Sequence, residues 1–266
     1  MTGNESASKK ARTDEKFQLF YWPGIPGRGE PIRLAFEEAG VDYEDVAYTK
    51  GVSAVTGLLG TGAHFAPPIL RNGDLEISQL PNIMFYLGPK LKLVPDDDAR
   101  FKVNQLFLTA MDCQNEAHDT HHPISTGLYY EDQKDAALER AKDFRENRIP
   151  KFFKHFEAVL AANKESKHEW LVGDKLTYAD LGLTYLVEGL LFAFPRAVGE
   201  LYSKFPKVFA LHQRVKVRPR IKAYYESDRR KEFSNCVYRH YPELDAPEKD
   251  IDEVVPGKGG KKQPAD

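Results

Sequence analysis

A small α/β layer followed by an all-helical domain is the architecture this sequence predicts. Three observations predict it. A proline-led strand, turn and second strand occupy residues 67 to 77, apolar residues recur with helical spacing after Pro95, and the pattern changes between the two near Pro89–Pro95. Phe17 to Trp22 reads as the first strand, and Pro31 through Glu38 begins a helix that Gly40 can stop. Tyr43 to Tyr48 reads as a second strand, followed by an irregular, glycine-rich stretch. Ile69-Leu70 sits directly behind Pro67-Pro68, where a ladder donor is missing, so a strand starts there or runs at an edge. A proline opening a strand is one of the few positions that suit a cis peptide bond, which would turn the preceding backbone groups outward. Asn72-Gly73 signals a tight hairpin, with Leu75 to Ile77 returning antiparallel. Ser78-Gln79 then opens a helix through Ile83 and Leu87. Such a unit, with a polar residue at the helix start, is a ready site for a small anionic peptide.

Beyond Pro95, Val103, Leu106, Phe107, Ala110 and Met111 trace one buried helical face, and Ile149, Phe152, Phe153, Phe156 and Leu160 trace another. Ala179 to Phe194 is apolar nearly all round, as a central buried helix would be. Its start carries a capping box, with Thr177 at the N-cap and Asp180 at N3, and Leu176 and Leu181 placed for a hydrophobic staple. These residues are structural, and their loss should cost about 1 kcal/mol or more.

Composition narrows the function classes. A net charge of −2 gives no general attraction to nucleic acid or an anionic membrane. Only Cys113 and Cys236 are present, which argues against a disulfide framework and for a reducing compartment. No apolar run is long enough to span a membrane, so a cytoplasmic protein is expected. Residues 1–16 are expected to form a disordered tail, with Lys9-Lys10-Ala11-Arg12 as a solvated basic cluster. Residues 226–266 are expected as a partly disordered C-terminal extension. The ordered domains are then 17–88 and 96–225.

Three motifs in this order and spacing resemble the cytosolic glutathione transferase superfamily. They are Leu19-Phe20-Tyr21-Trp22-Pro23 leading to Gly27-Arg28-Gly29-Glu30-Pro31, then Pro67-Pro68-Ile69-Leu70 with its hairpin and Gln79, then Thr177 to Asp180. The resemblance covers roughly residues 17 to 225. It implies a thioredoxin-like N-terminal domain, an all-α second domain, a homodimer, and glutathione as co-substrate in detoxification, with no metal. Tyr21 resembles the catalytic tyrosine of the mu, pi and sigma classes. The loop Pro23 to Gly27 holds neither the serine nor the cysteine of other classes, which argues against disulfide exchange through that loop. Tyr21 would donate a hydrogen bond to the thiolate of glutathione, which then attacks an apolar electrophile or serves a glutathione-dependent isomerisation. A thiol with a pKa near about 8.5 is mostly protonated at neutral pH, and lowering it by about two units needs roughly 2.7 kcal/mol. One charge-assisted bond in a partly dry site, with nearby dipoles, can supply that.

The same resemblance places Arg28 beside the tyrosine, Pro67 with its carbonyl on the cysteinyl backbone, and Pro68 as the structural cis residue. Gln79 and Leu80 fall at the γ-glutamyl carboxylate, and Asp112 at the amine across the dimer. Two departures imply weaker or re-aimed glutathione binding: Pro67 has no amide to donate, and Leu80 stands where a hydroxyl residue is usual. They also sustain the alternative of a non-catalytic transferase-like binding or regulatory module.

The remaining signals are read as structural. His118, His121 and His122 are expected as a solvated helix end rather than a metal site, since no second Cys or His cluster completes one. Gly24, Gly27 and Gly29 lack the spacing of a dinucleotide fingerprint. Cys113 is expected in the core. Phe233 to Tyr238 is an extra segment whose role, as a lid, a dimer element or an extension, the sequence leaves open.

Overall fold

The structure is a computed structural model and describes residues 16–60 and 62–245. The expected tail, its basic cluster and residues 246–266 lie outside the described residues. Strand β1 (Phe17–Phe20) pairs in parallel with β2 (Tyr43–Asp45) after helix α1 (Glu30–Ala39), which ends at Gly40 in a left-handed conformation. Helices α2 (Val46–Lys50) and α3 (Ser53–Thr56) follow, then β3 (Ile69–Asn72), β4 (Leu75–Ser78) and α4 (Leu80–Lys90). The four strands run in the order β2-β1-β3-β4, with β3 antiparallel to both neighbours. Leu19 faces Leu70 and Phe20 faces Ile69 across the β1–β3 pair. The Pro67–Pro68 peptide is cis.

Two sequence expectations need correcting here. The second strand stops at Asp45 because Val46 and Ala47 turn into a helix that buries them with Phe20, Val55 and Ile69. Covering that face of the sheet outweighs the strand preference of Val46 and Tyr48. The first strand likewise ends at Phe20, two residues before Trp22, so Tyr21 leaves the ladder ahead of Pro23.

The helical domain contains α5 (Ala99–Asp119), α6 (Lys134–Asp143), α7 (Ile149–Ala162), α8 (Tyr178–Ala193), α9 (Pro195–Gly199), α10 (Pro206–Lys216) and α11 (Pro219–Tyr225). Helix α8 is its axis and packs against α5, α10 and α1, so it also joins the two domains. Its capping box forms: the fully buried Asp180 carboxylate accepts from Thr177 N–H (2.7 Å), Thr177 Oγ1 (2.9 Å) and Leu171 N–H (2.8 Å). These contacts fix the start of the central helix. Past α11 the chain folds back over α8 as a strap, residues 230–245. Phe233 stacks on Tyr185 and Phe192, with centroids at 5.7 and 5.3 Å, and Tyr238 meets Tyr185 edge-on. The Asp245 carboxylate accepts the amides of Arg196 and Ala197 at the start of α9.

Candidate active site

Tyr21 lies where β1 ends, in a loop that has to turn tightly. Gly27 has φ +47° and runs so close to the phenol that a Cβ there would strike its oxygen and lie 2.9 Å from Cys236 Sγ. Only glycine accommodates both constraints. The loop brings the Arg28 amide to donate to Tyr21 Oη at 2.8 Å. Behind the ring, the Arg33 guanidinium lies 5.8 Å from its centroid. Arg33 is buried and held by Asp45 (2.7 Å), Glu30 (3.3 Å) and the Pro26 carbonyl (3.1 Å). Glu30 in turn meets Arg230 (3.2 Å) and the Tyr224 hydroxyl (3.0 Å). Tyr21 is 4% exposed, and burial pushes its phenol well above the ordinary value, so it is a proton donor throughout the neutral range.

A thiol already lies beside it. The Tyr21 hydroxyl and the Cys236 sulfur converge on Gly27, where a Cβ would strike the one and lie 2.9 Å from the other, and the nearby hydroxyl and the Val237 amide both favour the thiolate. Burial raises the Cys236 thiol while these two donors pull it back down, with burial the larger effect. A phenol has one proton to give, so a second sulfur reaching it would have Cys236 as a neighbour and competitor. The segment Phe233–Tyr238, left open by the sequence, therefore carries a thiol into the site.

Beside this pair runs a groove of about 360 Å³. One wall is Pro67, Pro68, Gln79, Leu80 and Pro81, and the other is Met111, Gln114 and Asn115 of α5. Arg28 joins groove and tyrosine. Its side chain lines the groove and donates to Asn115 Oδ1 at 3.0 Å, while its amide holds Tyr21. Gln79, with φ +73°, precedes α4, and Leu80 is the first residue of the helix. Pro81 has no N–H and Ile83 N–H is spent on the Gln79 carbonyl at 2.9 Å, so Leu80 and Asn82 supply the free amides of that first turn. Asp112 is exposed and does not line the groove. Met111, Gln114 and Asn115 share a face at i, i+3 and i+4, and position 112 lies about 100° round the helix. Gln114 and Asn115 were missed in the sequence, where that same spacing from Met111 was the available signal.

The three histidines do not form the solvated helix end expected of them. His121 is 1% exposed, and the ring centroids of the trio are 4.8 to 5.0 Å apart. The strap accounts for this, since Tyr241 lies beside the His121 ring. Cys113 is fully buried in the core of α5, which raises its thiol well above the ordinary value.

Comparison with known proteins bears on this arrangement. The family description "Glutathione S-transferase, C-terminal domain" matches residues 118–228. A glutathione S-transferase of Dirofilaria immitis is 27% identical over 210 residues, covering 78% of this chain and 91% of that protein. The solved pi-class glutathione S-transferase of Onchocerca volvulus superposes with a TM-score of 0.62 at 24% identity, covering 80% of this chain and 93% of that one. Rat hPGDS, solved with a quinoline, gives 0.61 at 21% identity over 79% and 96%. These findings support a place in the cytosolic glutathione transferase superfamily, and the structure has the corresponding thioredoxin-like first domain and all-helical second one.

Proposed function

We propose that glutathione lies in the groove between the proline-led hairpin and α5, and that Tyr21 stabilises its thiolate for attack on an apolar electrophile. The observation that carries the reading is a buried phenol, braced by the Arg28 amide at 2.8 Å, with a sulfur atom beside its oxygen. That is the placement a thiolate of glutathione would need. The Leu80 and Asn82 amides and the dipole of α4 would receive the γ-glutamyl carboxylate without a hydroxyl. Arg28 and Gln79 stand at the groove to meet its polar groups. Pro67 offers a carbonyl only. Asp112, turned from its own groove, is the candidate for the amine of glutathione held by a second copy. Phe65, 93% exposed beside the proline pair, suits an apolar pocket of about 350 Å³ between Phe85, Pro89, Val94 and Phe101, and supports a homodimer. A cytoplasmic, detoxifying or isomerising role follows from the family alone.

Turnover on this reading requires Cys236 to yield the Tyr21 proton. Phe233 and Tyr238 anchor the strap on either side, while Ser234 and Asn235 are exposed, so a rotation of the cysteine side chain releases the proton without unpacking either ring. Calorimetric titration with glutathione and conjugation of an aromatic halide test this on the wild type, Tyr21→Phe and Cys236→Ser. Binding is expected in all three and in Cys236→Ala, with faster turnover in Cys236→Ala, which removes the competing acceptor, and a higher pH requirement in Tyr21→Phe. Absence of glutathione binding in both the wild type and Cys236→Ser would overturn it. A second reading, a non-catalytic module, is favoured by the Cys236 thiol beside Tyr21 and predicts binding without turnover in every variant.

A further inference from the structure

We propose that His118, His121 and His122 form a binding site for a divalent transition-metal ion of the zinc class, independent of the glutathione groove. The ligand-capable nitrogens of the three rings lie within 4.8 Å of one another, at the end of α5 and in the turn beyond it. The His121 ring is buried and its Nε2 has no hydrogen-bond partner. Buried ring nitrogens are ordinarily satisfied, and a lone pair left in an apolar setting calls for an explanation. The Tyr241 ring packs beside it, with centroids 6.3 Å apart.

The other two rings can follow. His118 and His122 are only half-buried. His122 Nδ1 lies 3.4 Å from Gln133 Nε2, and His118 Nδ1 lies 3.8 Å from the Asp119 carboxylate. Metal–nitrogen bonds of about 2.0–2.1 Å in a tetrahedral site set nitrogens about 3.4 Å apart. Small rotations of the two half-buried rings toward the fixed His121 close that gap. Three imidazoles with no thiolate select zinc, copper, nickel or cobalt over magnesium or calcium, and they leave one position for water or a ligand. An open cavity of about 490 Å³, bordered by His122, Glu131, Arg239 and Tyr241, gives access from solvent. Arg239 acts on all three rings and Arg28 on His118, against a cation, while Asp119 acts on His118 and His122 in its favour. The balance predicts moderate rather than very tight affinity.

The test is calorimetric titration of the untagged, chelator-treated full chain with zinc chloride, beside the His118→Gln/His122→Gln double variant. His121 is left in place there because its buried ring also supports the strap. One equivalent of zinc is expected for the wild type. Loss of even an outer-shell partner typically costs 10–100-fold, so removing two ligands should cost more than about 100-fold. Cobalt chloride should give the visible absorption of a low-coordinate nitrogen site in the wild type and not in the variant. No saturable zinc binding by the wild type, or equal affinity in a double variant with unchanged circular dichroism, would overturn the proposal. Because neither readout uses glutathione, failure here leaves the transferase reading untouched, and the reverse also holds.

Discussion

Removing the Tyr21 hydroxyl should raise the pKa of Cys236, and the size of the change follows from one hydrogen bond. In the folded chain the Tyr21 hydroxyl and the Cys236 sulfur both crowd Gly27, and the phenol and the Val237 amide act on the thiol. Both favour the thiolate, and burial opposes them more strongly. A hydrogen bond to a charged group contributes about 1.5–3 kcal/mol. Tyr21→Phe should therefore move the thiol further up. The direction is fixed because the lost donor stabilised only the charged form. The assay is iodoacetamide alkylation across a pH series, with modified peptides resolved by mass spectrometry. The fully buried Cys113 serves as an unreactive internal reference. The midpoint of the profile is the readout, because a thiolate of higher pKa is also the better nucleophile and partly masks the change at any one pH. Coincident midpoints in the two proteins would show that the Tyr21 hydroxyl does not act on that sulfur. The proposed activation of glutathione would then lose its geometric basis.

Asp180→Ala removes a buried acceptor of three hydrogen bonds and orphans the Leu171 and Thr177 amides. It should lower urea stability by about 2–4 kcal/mol with an unchanged m-value, and a loss under about 1 kcal/mol would contradict the account of the α8 start. Glu188 accepts the Tyr225 hydroxyl at 2.8 Å and lies near Arg230, His212 and Lys216, and these partners hold its carboxyl below the ordinary value. For a carboxyl depressed by folding, the stabilisation is full above its unfolded pKa, near about 4.3, and is lost as pH falls through the lower folded value. Urea midpoints measured from pH 6 to pH 3 should therefore fall less steeply in Glu188→Gln, and parallel profiles would refute that. Phe65→Asp should shift the sedimentation profile from dimer to monomer while leaving the fold intact, and an unshifted profile would remove Phe65 from the interface.

How legible the chain was depends on whether the deciding contact is local. The cis Pro67–Pro68 peptide, the Asn72-Gly73 turn, the Gly40 stop and the Thr177–Asp180 box all act within a few residues, and each was read from the string. The helix at Val46–Lys50 was not, because its cause is the bare face of a sheet whose strands lie up to about thirty residues away. Tyr21 could be singled out by the motif around it, but its partner Cys236 lies more than two hundred positions on. The histidine trio shows the same limit. Its spacing was visible, yet its burial depends on the strap that covers His121.

The strap and the central helix are fitted to each other through Gly189. A glycine inside a helix costs about 0.5–1 kcal/mol relative to alanine. At Gly189 a Cβ would run into the ring of Tyr238, which is 1% exposed and seated edge-on against Tyr185. Burying a large aromatic side chain contributes about 1.5–3 kcal/mol, so the contact more than offsets the glycine. Gly27 makes the corresponding allowance at the other end, where the Tyr21 hydroxyl and Cys236 sulfur meet. Two backbone positions more than a hundred and fifty residues apart thus lack a side chain where the strap arrives. A segment lying casually across the surface would need neither allowance. The thiol beside Tyr21 is therefore part of how this fold is built, and any glutathione sulfur that reaches the phenol does so in competition with it.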